Sequence, residues 1–226
     1  MPAFDFKKEY KNLYNPKKEP EIIDVPEMNF IMVEGSGDPN TSESYREAIE
    51  TLYGLSYTIK MSKKDVTQPE GYFDFVVPPL EGLWWFDEDY FNGEVKSRKD
   101  EFNWIMMIRQ PDFVTEEVFE TAKDLLSRKK PDLDISMAML KEHKEGLCAQ
   151  IMHIGPYDDE HFSVNKLEEH IKAKGYKTVM EGWRQHHEIY LSDPRKSAPE
   201  KLKTIIRHPI VKRLSLIHIS EPTRPY

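Results

Sequence analysis

One order of elements occurs twice along the chain, and this repeat restricts the possible folds more than any other feature of the sequence. The first copy has a strand over Asn29–Glu34, a turn rich in glycine and proline at 35–39, and then an amphipathic helix. The second copy has a strand over Leu147–Ile154, the turn Gly155-Pro156-Tyr157, and then another amphipathic helix. Few residues match between the copies, so the repeat rests on the order of elements.

Two strands are predicted after each of these helices. They cover Leu80–Phe86 and Phe102–Arg109 in the first copy, and Tyr176–Trp183 and Gln185–Leu191 in the second. This order predicts an α+β duplication in which two helices cover one large antiparallel sheet. The groove between such helices is a natural ligand site.

The remaining segments divide the chain around this repeat. Residues 1–27 predict an extended strap rather than a helix. Residues 28–208 predict one domain of two modules, at about 28–110 and 133–193. A connecting helix between the modules is predicted over 115–130. Shorter segments that predict strands are Ile22–Val25, Tyr72–Val77 and Ile135–Leu140. Residues 214–226 resemble translated sequencing-adapter DNA, and we treat them as non-native.

Composition limits the classes of function. A formal net charge of −8 argues against binding to nucleic acid, because phosphates attract surfaces rich in lysine and arginine. The single cysteine, Cys148, excludes an intramolecular disulfide framework. The N-terminus lacks the apolar region of a signal peptide, and no run reaches transmembrane length, so we expect a cytoplasmic protein that does not bind membranes.

The segment His186 to Pro194 is the strongest candidate for a site. It predicts a strand, and because strand side chains alternate between faces, Glu188 and Tyr190 should project together. A carboxylate beside a phenol suggests a ligand site. An edge strand with its polar face in water is the alternative, and this segment alone does not separate the two.

Several aromatic residues could form the walls of a site for a planar ligand. The candidates are Trp84, Trp85, Trp104, Trp183, Tyr57 and Tyr157. Packing in the core is the alternative for each tryptophan. Trp84 and Trp85 are adjacent on one strand, so at most one of them faces the groove. Glu81 is a second candidate acid or base, with a turn carboxylate beside Gly82 as the alternative.

The histidines do not predict a metal site. His186 and His187 should point to opposite faces of their strand and cannot easily share a metal. His161 and His170 are nine positions apart on a helix and do not form a ligand pair.

Three segments, taken in order, resemble the GyrI-like small-molecule-binding family, which includes the effector-binding domains of the multidrug regulators BmrR and Rob. They are Pro78 to Trp85, His153 to Tyr157, and Glu188 to Pro194. The resemblance extends from the N-terminal arm to about Arg207. It implies two modules related by pseudo-twofold symmetry, with an antiparallel sheet and helices flanking a concave aromatic groove. Glu188 occupies the position of the glutamate that meets cationic aromatic drugs in the regulators.

The segment Pro78 to Trp85 is similar to the stand-alone branch of the family, whose members resemble cyclopropanoid hydrolases. The resemblance therefore implies a cofactor-independent hydrolase that opens strained rings of reactive compounds and so detoxifies them. Glu188, with a pKa raised by partial burial, would be the base that activates water. Tyr190 or Tyr157 would stabilise the developing phenolate.

Other functions remain open from the sequence. The same carboxylate and aromatic faces would suit a non-catalytic protein that sequesters or senses planar aromatic or cationic compounds. Haem binding is a third hypothesis, because haem-binding proteins of the SOUL type share the general fold. Either a monomer or a homodimer is compatible with the sequence.

Overall fold

The computed structural model describes residues 2–62, 68–86 and 99–213. Its helices are α1 (Phe6–Glu9), α2 (Lys11–Tyr14), α3 (Glu43–Met61), α4 (Glu116–Lys129) and α5 (Glu160–Ala173). Its strands are β1 (Glu21–Ser36), β2 (Leu80–Trp85), β3 (Asn103–Arg109), β4 (Met139–Ile154), β5 (Tyr176–Thr178), β6 (His186–Tyr190) and β7 (Lys203–Lys212). Short 3₁₀ turns cover Lys99–Glu101, Tyr157–Asp159 and Pro199–Lys201. No helix within the described ranges is long and apolar enough to cross a bilayer.

The sheet is antiparallel and closes on itself. Its order is β4-β1-β3-β2-β6-β7-β5, and a further pairing between β4 and β7 joins the two sides into a barrel-like sheet. The α+β architecture predicted from the sequence is therefore confirmed.

The duplication is visible in the strand pairing. In the first module β1 is followed by α3, β2 and β3, and β3 pairs with both β1 and β2. In the second module β4 is followed by α5, β6 and β7, and β7 pairs with both β4 and β6. The modules meet through β1 with β4 and β2 with β6, so equivalent strands pair across a pseudo-twofold axis.

The sheet has two distinct faces. On the helix face, α3 packs over β1 and β3 while α5 packs over β4 and β7. On the opposite face, here called the inner face, α1 and α2 cover polar groups: the guanidinium of Arg109 lies 4.7 Å from the ring of Phe6 and 4.3 Å from the ring of Tyr10. The strands β2 and β6 lie between α3 and α5, which places their helix-face side chains between the two helices.

Close approach of side chains to the backbone explains a glycine of β1. A Cβ atom at Gly35 would lie 2.3 Å from the indole of Trp104, so only glycine leaves room for this buried ring. Trp104 in turn meets the ring of Tyr45 on α3 at 5.3 Å, edge to face. The glycine at the end of β1 therefore has a packing role as well as a role in the turn.

The N-terminal arm differs from the predicted strap. Two short helices, α1 and α2, form there, and the carboxylate of Asp5 caps the first by accepting from the N–H of Lys7 at 3.1 Å. The prediction of an extended arm was wrong, because an aspartate at this position can satisfy a free N–H of the first turn.

Several strand boundaries also differ from the predictions. Ile22–Val25 and Asn29–Glu34 belong to one continuous β1 that runs through Pro26. The predicted strand Ile135–Leu140 is largely irregular, and its last residues continue through Gly146 into Leu147–Ile154 as β4. Tyr72–Val77 forms only an isolated bridge, between Phe75 and Phe4. The predicted strand Tyr176–Trp183 ends at Thr178, and the sequence pattern predicts no strand where β7 lies.

The hydroxyl of Ser42 caps α3 by accepting from the N–H of Tyr45. The tail at 214–226, which we treat as non-native, lies outside the described residues.

Candidate functional site

Strands β6 and β2 carry the centre of the site. His186, Glu188 and Tyr190 alternate along β6 and share the helix face. The antiparallel register places Gly82 opposite Glu188 and Trp84 opposite His186, so Trp84 lies on the same face. The segment that the sequence singled out is therefore a central strand beneath two helices rather than an edge strand in water.

Gly82 allows the indole of Trp84 to lie over the strand. A Cβ atom at this position would be 2.7 Å from Nε1 of Trp84 and 3.1 Å from the sulfur of Met106. The indole N–H instead donates to the hydroxyl oxygen of Tyr190 at 3.0 Å. The glycine thus fixes the contact between the predicted tryptophan and the predicted tyrosine.

A second carboxylate, Glu160, lies beside Glu188. Glu160 is the first residue of α5, and ligand atoms of Glu160, Glu188 and His186 all lie within 4.8 Å of one another. Glu160 is 5% exposed and Glu188 is 8% exposed. Two buried carboxylates at this separation repel strongly when both are ionised, so they share one proton.

The proton belongs to Glu160. Burial, followed by the charge of Glu188, raises the pKa of Glu160 well above its ordinary value. Burial alone would also raise the pKa of Glu188, but hydrogen bonds from His186, Tyr190 and Glu160 outweigh burial and lower it. Nε2 of His186 lies 3.2 Å from Oε1 of Glu188. The expectation of a raised pKa at Glu188 was wrong, because donors hold its ionised form.

Phenols surround the carboxylate pair. The ring of Tyr157 meets the ring of Tyr190 edge to face at 5.8 Å, and the ring of Tyr45 lies 5.9 Å from Trp84. Burial, and then the charge of Glu188, raises the pKa of Tyr157 to about 12 and also raises the pKa values of Tyr45 and Tyr190. These side chains remain neutral O–H donors around neutral pH.

The turn between β4 and α5 positions Tyr157 and Glu160. His153 holds this turn: its Nε2–H donates to the carbonyl of Pro156 at 3.0 Å, and its Nδ1 lies 2.9 Å from the hydroxyl of Ser163. Gly155 has a φ of 145°, which a residue with a side chain rarely adopts. The Gly-Pro-Tyr turn is thus held rigidly at the start of the helix that carries Glu160.

A cation could in principle be held by Glu160, His186 and Glu188, which form a cluster of suitable ligand atoms. The hydrogen bonds within the cluster account for the close approach of these atoms without a cation. We therefore assign the cluster to a shared proton.

The predicted aromatic and acidic residues divide between two places. Trp84 and Tyr157 lie beside Glu188 and Tyr190. Trp104 is fully buried behind Tyr45, so it supports the wall of the groove rather than lining it. Tyr57 is 51% exposed and stacks on Tyr53 at 6.3 Å, further along α3.

The other predicted residues are not brought to Glu188. Trp85 alternates with Trp84 and lies on the inner face of the sheet. Trp183 lies beside His143, with ring centroids 6.4 Å apart. Glu81 is 1% exposed and also faces inward, where it belongs to a different polar cluster.

That inner cluster is a second set of buried charges, carried by β2, β6, β4 and β7. Glu81 accepts from the hydroxyl of Tyr14 at 3.2 Å and lies 3.0 Å from Nε2 of His187. The other ring nitrogen of His187 forms an ion pair with Glu145 at 3.1 Å, and Arg207 lies 3.4 Å from the same carboxylate. Arg207 also donates to the carbonyl of Leu13 on α2. The N-terminal helices therefore close over this cluster.

Opposite charges meet in this cluster. Burial alone would lower the pKa of His187, but Glu145 and Glu81 raise it to about 9. Burial would raise the pKa of Glu145, but His187 and Arg207 hold it well below its ordinary range. Each of the two carboxylates thus lies beside a cation, and Arg109 is a further buried cation on the same face. The cluster has the character of an internal structural network.

Glu160, Tyr45, His186 and His208 are members of the site that the sequence did not predict. His186 connects the site to His208 on β7, with 2.8 Å between Nδ1 and Nε2. Glu160 lies three positions after Tyr157, the spacing of neighbours on one side of a helix, and this is a signal that could have identified it. His208 had no such signal, because β7 itself was not predicted. A separate surface cavity, lined by Glu27, Met28, Asn29, Asp112 and Glu142, contains none of these residues.

The comparisons with known proteins agree with this architecture. Residues 18–211 match the model of the GyrI-like small molecule binding domain. A crystal structure of a hydrolase from Listeria innocua is 49% identical, with a TM-score of 0.84, and the match covers 92% of this chain and 100% of that one. A crystal structure of an uncharacterized conserved protein from Listeria innocua has the same identity and coverage, with a TM-score of 0.87.

A more distant structure shares the fold alone. The C-terminal domain of EcmrR is 12% identical, with a TM-score of 0.52, and the match covers 86% of this chain and 98% of that domain. No curated protein matches the sequence. Because the family model spans most of the chain, from β1 to β7, this protein belongs to the GyrI-like family of small-molecule-binding domains.

Proposed function

We propose that this protein binds planar aromatic small molecules between α3 and α5 and hydrolyses electrophilic cyclopropanoid compounds, thereby detoxifying them. The observation that carries the proposal is the buried carboxylate pair beneath an aromatic wall: Glu188 is held ionised beside a neutral Glu160. A neighbouring acid and base is the arrangement that general acid–base catalysis requires. The similarity to a Listeria hydrolase supports hydrolysis as the class of reaction.

Binding would use the aromatic side chains. The indole of Trp84 and the rings of Tyr45, Tyr157 and Tyr190 lie around the carboxylate pair. Flat apolar faces favour planar ligands, and each aromatic pair adds about 0.5–1.5 kcal/mol beyond the burial of area.

Hydrolysis would begin with Glu188 as the base. It accepts a proton from water while the water oxygen bonds to a cyclopropane carbon. The strained carbon–carbon bond breaks, and its electron pair moves into a conjugated carbonyl, which becomes a phenolate. Tyr157, a neutral phenol that is 37% exposed, would donate a hydrogen bond to this oxygen. Tyr190 already donates to Glu188, so we assign it to positioning the base.

A non-catalytic binder of cationic aromatic compounds is the second candidate. The shared proton leaves one negative charge on the buried pair, next to aromatic faces that attract cations. This function uses the same residues but requires no turnover.

The test is turnover of a cyclopropanoid alkylating agent by the wild-type protein and by Glu188→Gln. We expect the substitution to reduce kcat by about 10²-fold or more, the usual contribution of a general base. Glu169→Gln, which removes an exposed carboxylate from α5, is the matched control and should leave the rate unchanged.

The outcomes separate the two candidates. Equal rates for wild type and Glu188→Gln would remove Glu188 from the mechanism. Saturable quenching of tryptophan fluorescence without product would support the binder instead. In that case Glu188→Gln should weaken binding of a cationic dye more than binding of a neutral dye of similar shape.

A further inference from the structure

A line of hydrogen bonds behind Glu188 connects it to α5. Nε2 of His186 lies 3.2 Å from Oε1 of Glu188, and Nδ1 of His186 lies 2.8 Å from Nε2 of His208 on β7. Nδ1 of His208 lies 2.8 Å from Oε1 of Glu168, and the same oxygen accepts from the hydroxyl of Thr178 at 2.6 Å. Both histidine side chains are fully buried, so these bonds form in a low-dielectric interior where their geometry carries weight.

The partners decide which nitrogens of His186 carry a proton. An ionised carboxylate only accepts hydrogen bonds, so Nε2 of His186 carries a proton and donates it to Glu188. Burial lowers the pKa of His186 to about 4, so the ring is neutral around neutral pH and its Nδ1 has a lone pair. Nε2 of His208 must therefore be the donor in the bond between the two rings.

The second ring, His208, is a donor at both of its nitrogens. Oε1 of Glu168 accepts from Thr178, so it is the acceptor for Nδ1 of His208 as well. A histidine that donates from both Nδ1 and Nε2 is an imidazolium ion. Its positive charge is one of the effects that lower the pKa of His186 and so keep that ring neutral. The ion pair with Glu168 compensates for the burial of this cation.

This arrangement favours the ionised form of Glu188. A protonated Glu188 could donate to Nε2 of His186 only if that ring carried its own proton on Nδ1 instead. The N–H of His186 would then point at the N–H of His208, which places two donors 2.8 Å apart with no acceptor between them. His208 therefore excludes the one neutral tautomer of His186 that would stabilise a protonated Glu188.

We propose that His208 and Glu168 are positioning residues for Glu188: Glu168 holds His208 as a donor at both nitrogens, and His208 holds His186 in the tautomer that donates to Glu188. The inference rests on the proposed function, in which Glu188 is the base or the carboxylate that binds cations. The role is static, because no proton passes along the line. His208 acts on the site only through His186.

Groups from every neighbouring element also act on these residues, and a change at His208 leaves them in place. Burial is the largest effect on the pKa of Glu188 and raises it, while hydrogen bonds from the groups around it lower it. On the other face of the sheet, the cations adjacent in sequence are His187 and Arg207, which meet Glu145. The other titratable groups that face Glu188 are Glu160 and Tyr157 at the start of α5, Tyr45 on α3, and Tyr190 on its own strand, all protonated around neutral pH.

Nitrogen-15 NMR of histidine-labelled protein measures the protonation of the line, because ring nitrogens with a proton and with a lone pair differ widely in chemical shift. In the wild type at neutral pH we expect protons on both nitrogens of His208 and only on Nε2 of His186, with His186→Gln and His208→Gln assigning the signals. Glu168→Gln should remove one of the two protons of His208. Glu169→Gln, at the neighbouring carboxylate of α5, should leave both rings unchanged. A single proton on His208, or a proton on Nδ1 of His186, in the wild type would overturn the proposal.

The pH dependence of cationic dye binding measures the consequence for Glu188. His208→Leu removes the donor to Nδ1 of His186, so the pKa of Glu188 should rise and the dye should be released at a higher pH than from the wild type. His208→Gln, whose amide N–H can still donate to Nδ1, should restore the wild-type midpoint. A midpoint that His208→Leu leaves unchanged, with or without a lower Tm, would show a purely structural role and overturn the proposal.

These results are distinguishable from a failure of the proposed hydrolysis. A midpoint that shifts in His208→Leu, in a protein that turns over no cyclopropanoid compound, would support the positioning role and contradict the hydrolysis. Turnover that depends on Glu188 but has the same pH profile in wild type and His208→Leu would support the hydrolysis and overturn the positioning role.

Discussion

The two faces of β6 carry similar residues with different consequences. On the inner face, His187 lies between Glu81 and Glu145, and Arg207 pairs with Glu145. On the helix face, Glu188 and a neutral Glu160 keep one negative charge beside His186.

The difference shows what marks a functional site in this protein. A buried carboxylate paired with histidine occurs on both faces, so neither burial nor the pair identifies the site. The inner set lies under α1 and α2, and each of its carboxylates is paired with a cation, which is the arrangement expected of a structural network. The helix-face set lies beside Tyr157, which is 37% exposed, and carries one negative charge without a cationic partner of its own, which favours binding and proton transfer.

The largest expected effect comes from unbalancing the inner set. Arg207→Met should lower the free energy of unfolding by about 3–5 kcal/mol, because it leaves Glu145 buried without its guanidinium partner. Urea unfolding measures this. Arg195→Met, which removes an arginine whose side chain is 86% exposed, should leave the free energy of unfolding nearly unchanged.

The matching change on the helix face should behave differently. Glu188→Gln removes a charge from a pair of carboxylates, so we expect it to change the free energy of unfolding by no more than about 1 kcal/mol while it reduces kcat by about 10²-fold or more. If Glu188→Gln destabilised the protein as much as Arg207→Met, the two sets would be alike and our comparison would be wrong.

The adjacent histidines should give opposite dependences of stability on pH. The pKa of His187 is raised from 6.5 to about 9, so its contribution is complete below pH 6.5 and is lost as pH rises toward about 9. The full loss corresponds to about 3 kcal/mol. The pKa of His186 is lowered to about 4, so the unfolded chain binds the proton more readily and stability falls as pH drops from 6.5 toward 4.

Urea unfolding across this pH range, with His186→Gln and His187→Gln, separates the two effects. The alkaline loss should disappear in His187→Gln and persist in His186→Gln, with the reverse for the acid loss. If the pKa values of both imidazoles were raised, or both lowered, on folding, the assignment of the two faces would be wrong.

The smallest expected effect concerns the hydrogen bond that Tyr190 donates to Glu188. Tyr190→Phe removes the donor to Glu188 and the acceptor of the Trp84 indole N–H. We expect the pKa of Glu188 to rise, because the hydrogen bond from Tyr190 helps to hold it below its ordinary value. The pH dependence of cationic dye binding measures this shift. Tyr57→Phe, at the exposed end of α3, is the control and should leave the pH dependence unchanged.

Much of the fold was predictable because it depends on local patterns. The period of two along His186 to Tyr190 placed Glu188 and Tyr190 on one face, and the alternation of Trp84 and Trp85 placed only one of them in the groove. Both helices of the duplication were recognisable from their apolar faces and turns. The less accurate boundaries were those where strands run through Pro26 or Gly146, since such residues usually end a strand.

The sequence by itself determined the duplicated α+β architecture, the family, and the face on which Glu188 lies, because side-chain periodicity and turn residues act over a few positions. Tertiary structure alone decided the charge of Glu188 and the separation of Glu81 from the site. Those properties depend on partners distant in sequence: Trp84 is 106 positions from Tyr190, and Glu81 is 67 positions from Tyr14. Burial and hydrogen bonds set a pKa, and both exist only after the strands and helices have packed together.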